Sequence, residues 1–171
     1  MKLTAQEEYG LRCILQIARQ PDRLSTIDEI ASREGLTPTY VAKLIRVMRK
    51  TGLVTSIRGR KGGFRLGRPA DQIKVGTVLG ALGGRLYWED FCKLHRGHKR
   101  SCVHDTDCSI RSLWIAIDAL VQDALSRIKL KDLFRSERQM RTWCSSNLKE
   151  VSVGKMVSLS MQCPGASRPV L

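Results

Sequence analysis

A chain of 171 residues and 19.2 kDa makes one compact domain, or a small domain with an appendage. Its apolar fraction of 42% excludes wholesale disorder, and no continuous apolar run reaches the length of a membrane helix. A formal charge of +14 calls for a polyanionic partner, nucleic acid ahead of an anionic membrane.

Near the start, Glu7, Glu8 and Arg12 interrupt any apolar stretch long enough for export, so a cytoplasmic chain with reduced thiols is expected. MKLTAQEEYGLRCILQIARQ predicts a helix. Thr4 and Glu7 stand at capping-box spacing, and Leu11, Ile14, Leu15 and Ala18 recur on one face. Pro21 ends that element. In STIDEIASREG, Ser25 or Thr26 caps a second helix, Ile27, Ile30 and Ala31 face inward, and Gly35 stops it. LTPTYVAKLIRVMRKTG predicts a third helix, with Thr37 as cap, Pro38 in the first position and Val41, Leu44, Ile45 and Met48 as the apolar stripe.

Two short helices joined by a tight turn predict a helix-turn-helix. LVTSIRGRKGGFRL follows, with strand-like runs at 53–58 and 64–66 around a glycine-rich turn carrying Arg60 and Lys61. A helix-turn-helix followed by a basic hairpin is a winged helix, so the expected fold is mainly α with a small β-hairpin wing. A short helix is expected at 75–82 and a loop at 83–107. A long amphipathic helix then begins near Cys108, with Ile110, Leu113, Trp114, Ile117, Leu120, Val121, Ala124 and Ile128 as its stripe. That stripe has little else to pack on, which favours a second copy and a homodimer. The expected organisation is therefore a winged DNA-binding domain over 1–70, a linker with a short helix over 71–90, a cysteine-rich loop over 91–109, a dimerisation helix over 110–134 and a basic, flexible tail over 135–171.

Between residues 36 and 70 there are nine basic residues and no acidic one. Solubility alone would intersperse both signs. A set of this kind reads as a duplex DNA face, with Thr37, Thr39, Tyr40, Lys43 and Arg46 on or beside the reading helix and Arg58, Arg60 and Lys61 at the wing, over the backbone or in the minor groove.

MKLTxxxxYGLR, TPTYVAKLIRVMRKTGLV, SIRGRKGGFRL and the cysteine loop before SLW resemble the IscR/NsrR type of bacterial winged-helix regulator, from Met1 to about Phe134. The resemblance implies a homodimeric transcription factor, often a repressor of a palindromic operator, whose affinity is set by an iron–sulfur cluster or other sensor chemistry. It implies a minor-groove role for Arg58 and DNA contacts at Thr39, Tyr40 and Lys43.

Three of the six cysteines and all three histidines fall in residues 91–108. Cys92, Cys102 and Cys108 are separated by nine and five residues, a spacing that matches neither ferredoxin pattern. Thiolates suit a 2Fe-2S or 4Fe-4S cluster, and Lys93, Arg96, Lys99 and Arg100 would favour the thiolate forms. Some IscR-like regulators place a histidine ligand three residues after the last cysteine; here that position holds Arg111, which stays protonated and cannot ligate. Others draw an acidic residue from the partner subunit's first helix, a place filled here by Glu8, with His95, His98 and His104 as rivals. Zinc held by Cys92, His95, Cys102, His104 and Cys108, or a thiol switch without metal, remains open. Cys13 reads as core, while Cys144 and Cys163 carry no assignment. A metal-dependent nucleic-acid enzyme is the alternative class, but neither H-x-E with P-C-x-x-C nor H-E-x-x-H occurs.

Overall fold

The computed structural model describes residues 3–88 and 90–148. Three helices open the chain: α1 (Ala5–Ala18), α2 (Ile27–Glu34) and α3 (Pro38–Lys50). The first two start on full capping boxes, at Thr4 with Glu7 and at Thr26 with Glu29, each satisfying two otherwise orphaned amides. The cap of α2 is thus Thr26, because Ser25 is engaged elsewhere. Its backbone pairs with Phe64 in both directions, at 3.0 and 2.9 Å, and adds a third, one-residue rung to the wing sheet. Gly35 closes α2 with φ 65°, a left-handed conformation that costs a glycine little, and Thr37 caps α3 one residue before Pro38.

The wing is an antiparallel pair, β1 (Val54–Ile57) and β2 (Gly63–Leu66), running from Val54 opposite Leu66 to Ile57 opposite Gly63. Its turn admits no side chain at Gly62, where a Cβ would lie 2.5 Å from the Ile57 carbonyl oxygen. Helix α4 (Val75–Leu82) follows, then the cysteine loop with the one-turn helix α5 (Phe91–Leu94), the long helix α6 (Ser109–Ser126), a 3-10 turn (Leu130–Phe134) and α7 (Glu137–Asn147).

The main core lies where α1, α3 and α4 meet. Cys13, Ile14 and Ile17 pack there with Val41, Leu44, Ile45 and Met48, each at most 1% exposed. Full burial of side chains of this size stabilises by about 1.5–3 kcal/mol apiece. A second cluster joins Val75, Leu79 and Ile128 to Leu125, Met140, Trp143 and Leu148.

Two expectations are corrected here. The helix expected over 110–134 stops at Ser126. The Val75 amide instead donates to Ile128 O and the Leu130 amide to Ile73 O, both at 2.8 Å, and Leu130 enters the main core fully buried. The chain turns because backbone pairing with 70–75 and burial of Leu130 outweigh another turn of helix. The basic tail expected to be flexible over 135–171, with a frayed helix as the alternative for RSERQMRTWCSSNLK, opens instead as α7, capped by Ser136 with Gln139 and seated through Met140 and Trp143 on the second cluster. Residues 149–171, and Cys163 with them, lie outside the described residues. No helix among the described residues is long and apolar enough to cross a membrane.

Candidate nucleic-acid interface and metal centre

Helix α3 buries one stripe, so its opposite side carries whatever the sequence places there. Lys43, Arg46, Arg49 and Lys50 are all exposed, as are Arg58, Arg60, Lys61, Arg65 and Arg68 along the wing. None of the nine forms an ion pair among the described residues. Thr39 is exposed at the start of α3, and the Thr37 hydroxyl, also outward, accepts from the Tyr40 amide at 3.3 Å. Tyr40 differs from its neighbours. It is half-buried, its ring edge-on to Tyr9 of α1 at 6.0 Å between centroids, so much of its surface serves the packing of α1 on α3.

The turn ahead of α3 is pinned by a contact that no local pattern announces. Glu34, whose side chain is 7% exposed, accepts from Arg12 Nε at 2.6 Å and also from Gln16 Nε2, while Arg12 Nη2 donates to the Glu34 carbonyl at 3.2 Å. The hydrogen bond to Glu34 holds the Arg12 guanidinium pKa above its ordinary value. These bonds tie the last turn of α2 to α1 and so fix the angle at which α3 leaves the turn. The equal spacing of Arg12 and Gln16 on one helix face was visible; their shared target was not.

The cysteine loop is differently made. Cys92, Cys102 and Cys108 are half-buried and free, and among the described residues no three Cys, His, Asp or Glu side chains converge on a point that could hold a metal. Cys108 is the N-cap of α6, its sulfur accepting from the Arg111 amide at 3.4 Å. Cys92 Sγ lies 3.5 Å from the Tyr87 hydroxyl. Burial first, then the hydrogen bond and charge of Cys92, raises the Tyr87 phenol from 10.0 to about 12; Arg111 opposes the shift and Cys108 adds to it. Cys92 thus contacts the phenol, while Cys108 caps α6. As a donor set, three thiols fit an iron–sulfur cluster in chemistry.

His95 stacks on Phe91 at 4.1 Å and is exposed, as are His98 and His104, and no group of three ligands that could hold a metal forms around them among the described residues. Glu8 is exposed on the first turn of α1 and belongs to no group of three metal-capable side chains among the described residues. Its neighbours do touch the base of the loop: Gln6 Nε2 donates to Leu82 O at 2.7 Å, and a Cβ on Gly84 would lie 2.7 Å from Glu7 Oε1.

Residues 3–136 match the family model Rrf2, described as an iron-dependent transcriptional regulator. The chain belongs to the Rrf2 family. The match ends just before α7 begins. Over 136 residues this Rrf2 chain is 32% identical to the HTH-type transcriptional regulator IscR of Vibrio atlanticus (strain LGP32), covering 79% of itself and 76% of that relative. Among solved structures it is similar to T. potens IscR, with TM-score 0.61 and 28% identity over 78% of this chain and 86% of that one. It is also similar to CymR (YrzC), the global cysteine regulator of B. subtilis, with TM-score 0.62 and 27% identity over 80% and 99% of the two chains. The winged-helix reading is thereby established, and the chain is a DNA-binding transcriptional regulator of the Rrf2 family rather than an enzyme.

Proposed function

We propose that this Rrf2 protein is a homodimeric, cytoplasmic repressor that binds a palindromic operator and carries an iron–sulfur cluster on Cys92, Cys102 and Cys108. The observation that carries the DNA half is the outward face of α3 and the wing, where nine basic side chains stand exposed without an acidic partner. Thr37, Thr39, Lys43 and the exposed part of Tyr40 face the major groove, Arg46 meets phosphate, and Arg58, Arg60 and Lys61 follow the backbone or minor groove from the wing.

The dimer rests on α6. Ile110, Leu113, Trp114 and Ile115 are 62, 54, 37 and 47% exposed, and the one buried residue of the helix is Asp118. A second α6 crossing that half would cover the patch and space two reading helices for two half-sites.

For the cluster the support is the donor set, with Cys108 held at a helix N-terminus and Cys92 beside Tyr87. Glu8 of the partner subunit supplies the fourth ligand. A bound cluster would supply a redox- and nitric-oxide-sensitive centre that holds the loop closed. The loop in turn is fastened to α6, so closing it biases how two α6 helices pack and how far apart the α3 helices stand.

Anaerobically purified protein should be coloured, with iron and acid-labile sulfide in matching amounts, and should footprint a palindrome with an affinity that changes when the metal is removed. A colourless preparation with stoichiometric zinc replaces the cluster by a zinc site. Unchanged operator affinity with the centre present or stripped defeats the sensor reading. The second reading is a thiol switch, for which the support is that Cys92, Cys102 and Cys108 are free and half-buried, and a disulfide between loop cysteines in oxidised, metal-free protein would establish it.

A further inference from the structure

Both limbs of the cysteine loop are fastened to α6, by side chains of opposite charge about two turns apart and therefore on one face. Asp118, 8% exposed, accepts from the Leu86 amide at 3.1 Å and faces the Arg85 guanidinium at 3.9 Å, which holds the limb that enters the loop. Arg111 holds the limb that leaves it. Its Nη2 donates to the carbonyl of Asp105 at 2.7 Å and to that of His104 at 3.1 Å, within the stretch between Cys102 and Cys108. Its own amide meets Cys108 Sγ at 3.4 Å. One residue thus binds the backbone of the returning limb by its side chain and the last thiol by its main chain.

We infer that Arg111 is a positioning residue that docks residues 104–108 on α6 through protein contacts alone, so that Cys108 is presented for ligation before any metal arrives. It stands three residues beyond the last cysteine, where a coordinating side chain would be within reach, yet a guanidinium cannot ligate. Both bonds leave one nitrogen, Nη2, whose two N–H groups serve the adjacent carbonyls, and the planar, permanently charged guanidinium fixes their directions where an ammonium on a flexible stem would not. The consequence is an asymmetric loop. The limb at 104–108 is organised without metal, whereas the 96–103 tip, with exposed Arg96 and His98, is tied among the described residues by the Arg96 side chain's bond to the Arg100 carbonyl at 3.1 Å. Any fourth ligand must then come from outside the first turn of α6. The inference rests on the loop being a metal or cluster site, but its main test does not need the metal.

Backbone 15N order parameters are measured on the full-length, metal-free protein kept reduced. Arg111→Ala should lower them across 104–108 from about 0.85, the range of ordered backbone, to below about 0.6, because the two carbonyls lose the side chain that ties them to α6. Arg111→Lys should fall between the two, and the values in α3 should not change. Parent-like order parameters in Arg111→Ala overturn the inference. After reconstitution with iron and sulfide, Arg111→Ala should keep the parent's absorption bands while losing iron to a chelator several-fold faster, by the same loss of limb contacts. Shifted bands would make the residue part of the coordination and would equally overturn it. If neither parent nor variant takes up colour, the cluster reading fails, and the order parameters still decide the role of Arg111.

Discussion

Along the inner stripe of α3, Val41, Leu44, Ile45 and Met48 are each at most 1% exposed, whereas no residue between 91 and 108 is buried. The basic surface is thus the back of a helix whose other side is locked into a core. The cysteine loop hangs from α6 by Asp118, Arg111 and the Cys108 cap. A region that presents charge to DNA gains from rigidity, because register on the duplex depends on it. Under the proposed function the loop binds and releases a centre, and such a region is drawn from the less stable parts of a fold.

Breaking the loop should leave the core untouched. Replacing Cys92, Cys102 or Cys108 by alanine is expected to abolish the cluster's visible absorption while thermal unfolding stays within a few degrees of the parent, since none of these side chains is in either core. Coincident loss of colour and of folded structure would show that the loop is part of the cooperative unit. The opposite break is Leu44→Ala. It removes a fully buried side chain from α3 and should cost about 2–5 kcal/mol in denaturant titrations, with DNA binding lost by way of unfolding. Arg58→Ala sharpens the contrast from the surface. Operator affinity should fall by about 1–3 kcal/mol with stability and colour unchanged, read by fluorescence anisotropy at fixed salt.

The smallest effect compares thiols. Burial first, with the Glu34 charge adding, pushes the Cys13 thiol from 9.0 up to about 12. A neutral folded thiol beside an unfolded chain that ionises near 9 leaves stability unaffected below pH 9 and lowers it as pH rises from 9 towards 12. Cys13→Ala should flatten that decline. In native protein a small alkylating reagent should reach the half-buried loop thiols and spare Cys13, which is 0% exposed.

Much of the winged domain was legible because its signals are short-range. Thr4 with Glu7, Thr26 with Glu29 and Thr37 with Pro38 mark helix starts within a single turn, and the 75–82 helix coincides with α4. Gly35 and the glycines of the wing are read in the same local way, from backbone shapes that other residues avoid. The α6 stripe was legible as apolar but not as exposed. Ile110, Leu113 and Trp114 have the spacing of a buried face, and periodicity alone does not say what would cover them.

Local chemistry thus determined where α1 to α4 and the wing form, that α3 and the hairpin carry unopposed positive charge, and that three thiols share one loop. Tertiary structure decided the rest. It turned the chain after Ser126 so that Leu130 could enter the core, joined Ser25 to Phe64, set Arg12 and Gln16 on Glu34, and fastened the returning limb of the loop to Arg111. Most of these contacts join groups many residues apart, and even the Arg111 bonds need the loop to fold back on α6. Their energy exists only once the chain has brought such groups together, and no residue pattern within a turn or two encodes it.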